Sequence, residues 1–366
     1  MKCALAILAL FSSSALALSS EQLLAQFSEF QSSYSKVYSS QEEEQRRFLI
    51  FSENVLEAER HNRGENSWTQ GINMWSDMTQ AEWEETFLTG YKRMVPGEAG
   101  AGSTARTTTE QLPESVDWRQ RNAVTEVKDQ GACGSCWAFA ATEQIESYTA
   151  LASGELEELS TQQMTSCAPN PLSCGGDGGC SGSTPPLGYN YIQLFGHIRE
   201  EDYPYTSGTT MDTGSCEYDL ASLRPVAAIS GYDNLPANDQ DAIMNHIANV
   251  GPLSISVAAS NFKNYNGGIF TGCDYESNIQ LNHGVQLVGY GSEDGVDFWL
   301  VRNSWGRAWG EEGYIRLLRE AEPGCGTDTT TTGHVCAGGP GNDILHVCGM
   351  CGMLFETSFP LGAHRL

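Results

Sequence analysis

Twelve cysteines constrain the fold of this 366-residue chain more than any other feature of its sequence. The first, Cys3, lies in an N-terminal segment that we expect to be removed, which leaves an odd number. In an oxidising compartment most cysteines pair as disulfides, so one thiol is left over. The sequence therefore predicts a fold tied together by disulfides and one free cysteine with a separate role.

The N-terminus has the features of a signal peptide. Lys2 supplies a positive charge, residues 4–11 are apolar, and the Ala-Leu-Ala at 15–17 offers the small residues that signal peptidase requires. A membrane anchor is the alternative, but it needs about 20 apolar residues, and neither this run nor a later one is that long. We therefore assign residues 1–17 to a signal peptide and expect no membrane span in the mature protein.

The charge balance argues against several kinds of partner. A formal net charge of -26 disfavours binding to nucleic acid or to an anionic membrane surface. The acidic composition also suits a compartment at low pH, where protonation reduces the self-repulsion of the chain. We expect a monomer in the secretory pathway, either lysosomal or vacuolar or extracellular, without nucleic-acid or membrane partners.

Changes in composition divide the rest of the chain. Residues 18–95 carry apolar side chains at helical spacing, for example Phe27, Phe30 and Tyr34. Residues 96–111 are rich in Gly, Ser and Thr, so they can bury little apolar surface and are predicted to form a cleavable linker. The predicted layout is a helical unit, a linker, and a larger domain over 112–366.

The predicted secondary structure of the larger domain changes along its length. One helix is predicted from Cys136 to about Ala152, with Gly154 as its C-cap. Runs of β-type composition follow in the second half, at residues 252–257, 284–290, 298–301 and 313–317. A helix-rich half before a strand-rich half indicates an α+β fold of two lobes, with a ligand cleft expected between them.

Four residues of this domain have the chemistry of a cysteine nucleophile and its partners. Cys136 opens the predicted helix, where the partial positive charge of the helix N-terminus favours a thiolate. His283 can act as the base, and Asn303 can accept a hydrogen bond from the imidazole and fix its orientation. Gln130 can donate a side-chain N–H to a developing oxyanion, together with the Cys136 backbone N–H.

The sequence Gln-Gly-Ala-Cys-Gly-Ser-Cys-Trp at 130–137, with His283 and Asn303 downstream, resembles the papain-like cysteine peptidases of the cathepsin L type. The resemblance implies a papain-like two-lobe fold, with a helical left lobe and a β-barrel-like right lobe. It also implies a cysteine endopeptidase that hydrolyses protein or peptide substrates through an acyl-enzyme and needs no cofactor. Gln130, Cys136, His283 and Asn303 match the oxyanion-hole, nucleophile, base and orienting positions.

The helical unit resembles the inhibitory propeptide of the same family, which implies an autoinhibited zymogen. The matching residues are Glu43, Arg47, Phe51, Asn54, Asn62, Gly71, Asn73 and Asp77. Ala58 and Trp75 stand where the family usually has an aliphatic residue and a phenylalanine. The resemblance implies that this segment covers the cleft in reverse orientation and that the mature enzyme begins near Leu112. We hypothesise that acid protonates paired carboxylates such as Glu43 and Asp77 and so loosens the segment.

The resemblance also implies three disulfides. These are Cys167–Cys216, Cys273–Cys351, and Cys133 with either Cys180 or Cys174, of which Cys180 is favoured. The pairing of Cys174, Cys325, Cys336 and Cys348 stays open. An insertion at about residues 320–347, which ordinary family members lack, is interpreted as a disulfide-stapled loop. A zinc site made from Cys348, Cys351 and Cys336 with His334 and His346 is the alternative.

Substrate contacts are expected at Glu356, Gly182 and Trp305. Glu356 follows Cys351 closely, as does the residue at the base of the family's main specificity pocket, the S2 subsite. Some members of the family have a glutamate there and accept Arg as well as bulky apolar groups. The alternative for Glu356 is a solvated surface carboxylate, the commonest environment of a glutamate.

Two other functions are weighed against an endopeptidase. A non-catalytic binding protein on the same fold would have lost its nucleophile or base, whereas Cys136 and His283 are both present. An exopeptidase would need an element that blocks the cleft. Residues 170–183 contain no histidine pair that could form one, although the insertion near the C-terminus could restrict the cleft.

Overall fold

The structure, a computed structural model, describes residues 18–88, 91, 112–217, 224–330 and 344–366. The predicted signal peptide and linker lie outside these residues, as does the part of the insertion that contains His334 and Cys336. Within the described ranges, no helix combines the length and the apolar composition needed to cross a membrane.

The N-terminal unit is helical where it is described. Its elements are α1 (Ser20–Ser33), α2 (Gln41–Asn62), β1 (Trp68–Gln70) and α3 (Gln80–Phe87). Ser19, Ser40 and Thr79 begin the three helices, and each hydroxyl accepts a backbone N–H of the first turn that would otherwise lack a partner. α1 and α2 pack through a small aromatic core that includes Phe27 and Phe51, so the predicted helical spacing is confirmed.

The left lobe is built around one buried helix. Its elements are β2 (Val116–Asp117), a 3-10 turn (Trp118–Arg121), α4 (Cys136–Ser153), α5 (Thr161–Cys167), α6 (Pro185–Phe195) and α7 (Ser207–Thr210). Most of α4 is buried on all sides, and Trp137 and Ile145 pack with Met164 and Ile192. α4 ends at Gly154, which is left-handed at φ 80°, a conformation that glycine adopts without steric cost.

The right lobe is a mixed sheet with one helix beside it. The remaining elements are β3 (Ala227–Ala228), β4 (Gly231–Asp233), α8 (Gln240–Asn249), β5 (Leu253–Val257), β6 (Tyr265–Phe270), β7 (His283–Glu293), β8 (Val296–Arg302), β9 (Tyr314–Leu318), β10 (Cys325–Asp328), β11 (Leu345–Cys348), a 3-10 turn (Met350–Gly352), β12 (Thr357–Leu361) and β13 (His364–Arg365). The main sheet has the order β1-β6-β9-β8-β7-β5-β12-β4, and β2 pairs with β7. Since no pairing among the described strands joins the two ends of this order, the sheet is open and not a closed barrel.

A buried charged pair lies where the two lobes meet. Arg302 of β8 places its Nε 3.5 Å from Oε1 of Glu143 on α4, and both side chains are almost completely buried. Burial raises the pKa of Glu143 to about 7, although Arg302 and Lys128 act to lower it. Gln286 of β7 also donates to the Glu143 carbonyl at 3.1 Å. These contacts hold α4 against β7 and β8, so the start of α4 faces the start of β7.

The base of the insertion is a hairpin held by a disulfide, where the sequence predicted a disulfide-stapled loop without strands. β10 and β11 pair antiparallel, and a disulfide joins the facing Cys325 and Cys348. The spacing of Thr and Gly residues in the insertion gave no strand pattern, because only four residues on each side pair. Cys348 and Cys351 are both in disulfides, so neither is available as a thiolate ligand for the zinc site that was the alternative.

Candidate active site

Cys136 is the first residue of α4 and is completely buried. Among the described cysteines it is the one whose sulfur is free. The N-cap residue, Ser135, makes no side-chain cap hydrogen bond, so its hydroxyl does not occupy the first N–H groups of the helix. The backbone N–H groups of Gly284, Trp137 and Cys136 act to lower the pKa of the Cys136 thiol.

His283 is the first residue of β7 and lies in a fully buried position. Its Nε2 is 2.7 Å from Oδ1 of Asn303, a residue at the end of β8. The imidazole stacks on Trp305 with ring centres 4.7 Å apart, and Trp309 meets Trp305 edge-on at 5.0 Å. With Nε2 engaged, Nδ1 is the ring nitrogen without a hydrogen-bond partner, and it is the atom available for proton exchange.

Gly284 connects the two reacting residues. It follows His283 directly, and its N–H acts to lower the pKa of the Cys136 thiol. A Cβ placed on Gly284 would lie 3.6 Å from the Cys136 carbonyl oxygen. The start of β7 thus lies against the start of α4, with the imidazole-bearing residue next to the thiol-bearing residue.

The Gln130 amide is held from two sides beside this pair. Its Nε2 donates to the Cys133 carbonyl at 3.1 Å, and its Oε1 accepts the Ser304 hydroxyl at 2.7 Å. The Gln130 backbone N–H also donates to the Ser304 carbonyl at 2.8 Å. Since the oxygen is fixed by Ser304, the amide nitrogen is oriented toward the Cys136 end of α4, and it retains a second N–H.

Burial changes the ionisation that the sequence predicts for this pair. It raises the pKa of Cys136 to about 12 despite the three backbone N–H groups. It also lowers the pKa of His283 to about 4, against the opposing effect of Asn303. In this covered state, desolvation of the thiol outweighs the backbone N–H groups at the start of α4, so the pKa of Cys136 shifts in the direction opposite to the one that the helix N-terminus favours.

Tyr91 of the N-terminal unit covers the cleft. It is 3% exposed and forms a parallel bridge with Ser183, next to Gly182. Its hydroxyl donates to Oε2 of Glu356, and Ser256 also donates to that oxygen, at 3.3 Å. The structure therefore places Glu356, which is partly buried, at the Tyr91 hydroxyl, and Gly182 next to the residue that bridges the Tyr91 backbone.

Aromatic contacts cover the site from the other side. Trp75 and Trp83 of the N-terminal unit meet the Trp305 ring edge-on, at 5.5 Å and 5.3 Å between ring centres. Trp83 is fully buried and Trp75 nearly so. Since Trp305 stacks on His283, the N-terminal unit excludes water from the imidazole as well as from the thiol.

Strand pairing and polar contacts also attach the N-terminal unit to the right lobe. β1 pairs antiparallel with β6, with Trp68 opposite Gly268. Asn73 donates to the Lys263 carbonyl at 2.6 Å, and the Gly71 N–H donates to the Asn264 carbonyl at 2.9 Å. Lys263 is 2% exposed, and burial lowers its pKa to about 8 although Asp77 and Glu82 act to raise it.

The remaining propeptide-motif residues join α2 to the segment before α3. Glu43 accepts from Arg47 at 2.7 Å, and Arg47 also donates to Glu82 at 2.9 Å. Asn54 donates to the Ser76 and Met78 carbonyls, and Asn62 exchanges two hydrogen bonds with Gln70. Asp77 pairs with Lys36 at 2.9 Å, not with Arg47, because Arg47 bonds the Asp77 carbonyl instead.

Disulfides hold the loops around the site. Cys133 bonds to Cys180, which ties the turn before Cys136 to the segment that contains Gly182. Cys167 bonds to Cys216 within the left lobe, and Cys273 bonds to Cys351 in the right lobe. Cys174 is also disulfide-bonded. The pairing of Cys133 with Cys180 is the one favoured from the sequence.

Several residues of the site were not predicted from the sequence. Tyr91, Trp83, Glu82 and Ser304 each contact a predicted site residue, yet none was singled out. Ser304 adjoins Asn303 in the chain, so proximity to a predicted residue was a usable signal. No local pattern marks Tyr91, whose partner Glu356 is 265 residues away.

A free thiol at a helix start, a neighbouring imidazole oriented by an amide, and a covering N-terminal unit define a cysteine hydrolase in an inhibited form. Residues 112–335 match the family described as papain family cysteine protease, and residues 27–83 match the cathepsin propeptide inhibitor domain (I29). The chain therefore belongs to the papain family of cysteine proteases and carries its own inhibitory propeptide.

Curated relatives and solved structures agree with this assignment. The chain is 38% identical over 316 residues to a probable cysteine protease RD19B of Arabidopsis thaliana, covering 83% of this chain and 84% of the relative. It is 35% identical over 352 residues to vignain of Vigna mungo, covering 94% and 87%. Digestive procathepsin L 3 of Tenebrio molitor superposes with a TM-score of 0.73 at 32% identity, covering 93% of this chain and 99% of that structure. A stem bromelain precursor superposes with a TM-score of 0.74 at 32% identity, covering 93% and 98%.

Proposed function

We propose that Cys136 is the nucleophile and His283 the general base of this cysteine endopeptidase, with Asn303 orienting the imidazole and Gln130 in the oxyanion hole. The observation that carries the proposal is the close approach at Gly284, the residue after His283, where an added Cβ would lie 3.6 Å from the Cys136 carbonyl oxygen. The free Nδ1 of His283 is the atom that would take the thiol proton.

The reaction has two chemical stages. The Cys136 thiolate attacks the peptide carbonyl, and His283 gives its proton to the leaving amine, which yields a thioester and the first product. Water then loses a proton to His283 and attacks the thioester, which releases the second product and restores the thiol. Asn303 keeps the ring in one orientation throughout, since its Oδ1 accepts the Nε2 hydrogen at 2.7 Å.

The oxyanion of each tetrahedral intermediate would be bound by the second N–H of Gln130 and the backbone N–H of Cys136. The fixed amide supports this role because its donor needs no reorientation when negative charge develops. A single donor of this kind is worth about 2.7–4 kcal/mol of transition-state stabilisation.

Glu356 would form the base of the S2 pocket, with Gly182 along its rim and Trp305 bordering the cleft. The support is the position of Tyr91, an aromatic side chain that ends in a donor and lies in this pocket with its hydroxyl on Glu356. The pocket would accept P2 side chains that combine an apolar stem with a donor or cationic tip, of which Arg is the strongest cation. An enzyme with Glu356→Ala should lose the hydrolysis of substrates with Arg at P2 and retain the hydrolysis of substrates with Phe at P2. An unchanged ratio of the two rates would remove this assignment.

The precursor would mature by cleavage in residues 96–111, giving a mature enzyme that begins near Leu112. The support is the way in which Tyr91, Trp75 and Trp83, among the described residues of the N-terminal unit, cover the site. The domain boundaries are accordingly a signal peptide at 1–17, a propeptide at 18–95, a linker at 96–111 and the peptidase domain at 112–366.

The several disulfides and the acidic composition support an exported protein of a lysosome, vacuole or extracellular space, acting as a monomer.

Active-site labelling tests the central proposal. The precursor is matured at about pH 5, treated with an irreversible thiol-directed peptidyl inhibitor, and digested for mass spectrometry. The modification is expected on Cys136 alone. The variants Cys136→Ser and His283→Ala should each lose hydrolysis while retaining the thermal unfolding midpoint of the parental enzyme. Labelling elsewhere, or full activity of a folded His283→Ala enzyme, would contradict the proposal.

A further inference from the structure

We propose that Asp328, at the end of β10, is a positioning residue for His283. The inserted hairpin lies against residues 275–281, the segment that leads directly into His283 at the start of β7. The inference rests on the role of His283 proposed above. It assigns a function to the insertion at 320–347, which the catalytic mechanism does not otherwise use.

Two backbone N–H groups of the segment 275–281 donate hydrogen bonds to the hairpin. The Ile279 N–H donates to the Thr327 carbonyl at 2.9 Å, and the Leu281 N–H donates to Oδ2 of Asp328 at 3.2 Å. Asp328 is completely buried, and its Oδ1 accepts the Thr330 N–H at 2.9 Å. A buried carboxylate that fixes two backbone donors allows little displacement of either, because each lost hydrogen bond would leave a buried polar group unpaired.

The contact continues to the outer end of the segment. Oδ1 of Asn278 accepts both the backbone N–H and the hydroxyl of Thr329, at 2.7 Å and 2.9 Å. Its Nδ2 donates to the Thr330 hydroxyl at 3.1 Å. Close packing adds to these bonds, since a Cβ on Gly326 would lie 2.6 Å from Cδ1 of Ile279. The hairpin therefore fits this segment side by side over several residues.

The remaining residue before His283 is held by the sheet. The Asn282 N–H donates to the Val257 carbonyl at 3.1 Å, and its Oδ1 accepts the Ala259 N–H at 2.9 Å. Val257 is also the residue that faces His283 in the pairing of β5 with β7. The segment is thus held by the hairpin at Ile279 and Leu281 and by β5 at Asn282, immediately before the base.

The reaction requires the His283 imidazole at a fixed distance from the Cys136 sulfur, so the position of the His283 backbone affects the rate. Asn303 fixes only one nitrogen of the imidazole, so the distance from Nδ1 to the sulfur depends on where the backbone places His283. A displacement of about 1 Å at a reacting group can cost roughly 100-fold in rate. Asp328 touches neither substrate nor reacting atoms, so its effect would be transmitted through Leu281 and Asn282.

The variant Asp328→Ala tests the inference in the full chain, matured by a trace of parental enzyme that is then removed. We expect kcat per titrated active site to fall by roughly 10- to 100-fold with KM within about 2-fold. The alkylation of Cys136 by iodoacetamide should slow at about pH 6, where the thiolate depends on His283, and recover at about pH 10, where it does not. A general loss of stability would not produce this pH-dependent pattern.

Three control variants are measured beside Asp328→Ala. Asp328→Asn keeps an oxygen acceptor and should retain most of the parental kcat, and Thr327→Ala alters the neighbouring exposed side chain while the Thr327 carbonyl stays in place. His283→Ala, measured in parallel, shows whether the base itself is correctly assigned. Parental kcat and a parental alkylation profile in folded Asp328→Ala would overturn the inference. If that variant does not fold, Asn278→Ala takes its place, and parental behaviour there overturns it equally.

Discussion

In the precursor, the thiol of Cys136 and the imidazole of His283 are both fully buried, and burial favours the uncharged form of each. The pKa of Cys136 is raised to about 12 and that of His283 is lowered to about 4. Removal of the propeptide would admit water, which would stabilise charge on both groups and favour the ion pair. On this hypothesis the propeptide would inhibit both by covering the cleft and by disfavouring the charged forms of Cys136 and His283.

This difference predicts slow alkylation of the precursor. At about pH 7, with the linker shown to be intact by mass spectrometry, Cys136 in the precursor should react with iodoacetamide at least roughly 100-fold more slowly than in the mature enzyme. The second-order rate constants at several pH values provide the measurement. The mature His283→Ala enzyme is the control, because it is accessible to the reagent but lacks the imidazole. Equal rates for precursor and mature enzyme would show that burial does not control ionisation.

Substitution of Gln130 should separate the nucleophilic reactivity of Cys136 from stabilisation of the oxyanion. Gln130→Ala removes the side-chain donor, so kcat for a peptide substrate should fall by roughly 100- to 1,000-fold. Alkylation of Cys136 forms no oxyanion and should proceed at close to the parental rate. A matched Ser304→Ala variant removes the hydroxyl that fixes the Gln130 oxygen and should give a smaller loss of the same kind. Parallel loss of hydrolysis and alkylation would instead mean that Gln130 supports the fold of the site.

At the scale of elements, the propeptide is attached by β1 and by the aromatic residues around α3. Trp75 and Trp83 pack on Trp305, the ring that covers His283. Replacing a buried tryptophan with alanine typically costs about 3–5 kcal/mol of folding free energy. Because these tryptophans pack across the boundary between propeptide and enzyme, part of that loss should appear as weaker coverage of the site.

The variant Trp75→Ala should therefore give a precursor that hydrolyses a small peptide substrate before its linker is cut. Trp75→Phe keeps an aromatic ring at the family's usual residue type and should remain close to fully inhibited. Leu49→Ala changes a residue of α2 that is 62% exposed and should leave both inhibition and stability unaltered. Initial rates with uncut precursor, together with thermal unfolding midpoints, make the comparison. A Trp75→Ala precursor as inactive as the parental one would show that Tyr91 and β1 suffice.

The sequence predicts those elements whose signals are local. The helix from Cys136 ends at Gly154 as the glycine indicated, and β7, β8 and β9 fall in the predicted runs. The hairpin of the insertion was not predicted, because four-residue strands among threonines and glycines lack a clear alternation. Its contact with Ile279 and Leu281 depends on tertiary packing, which no short window of sequence contains.

The same distinction applies to the candidate site. A motif around Cys136 and recognisable contexts for His283 and Asn303 indicate these three residues from the sequence alone. By contrast, the hydroxyl of Tyr91 meets Glu356 only because the propeptide crosses the cleft. The neutral state of the buried pair was also beyond the sequence, since desolvation depends on everything packed around it.

For the whole molecule, pH acts on the network of Glu43, Arg46, Arg47 and Glu82 that joins α2 to α3. Hydrogen bonds from Arg46 and Arg47 lower the pKa of Glu43 to about 2. Burial acts to raise the pKa of Glu82, but hydrogen bonds from Thr79 and the two arginines outweigh it and lower the value to about 2. Carboxyl groups with lowered pKa values stabilise the folded propeptide above their ordinary pKa and lose this effect as the pH falls toward the folded value.

Protonation of Glu43 and Glu82 would therefore destabilise the propeptide between about pH 4.5 and about pH 2. At pH 5 both carboxylates of the network are still charged. The variant Glu82→Gln removes its ion pairs at every pH, so its linker should be cut roughly 3- to 5-fold faster than the parental linker at about pH 5. Its rate should also depend less on pH between about 5 and 3, because the titrating group is gone.

Cleavage by a trace of mature enzyme, normalised to its rate on a small peptide at the same pH, isolates the behaviour of the precursor from that of the protease. Glu29→Gln removes an exposed carboxylate of α1 outside the network and controls for the change of net charge. If Glu82→Gln and Glu29→Gln precursors were cut at the same rate at each pH, the network would not be what acid acts on. The response of the molecule to acid would then lie in the contacts of the propeptide with the enzyme.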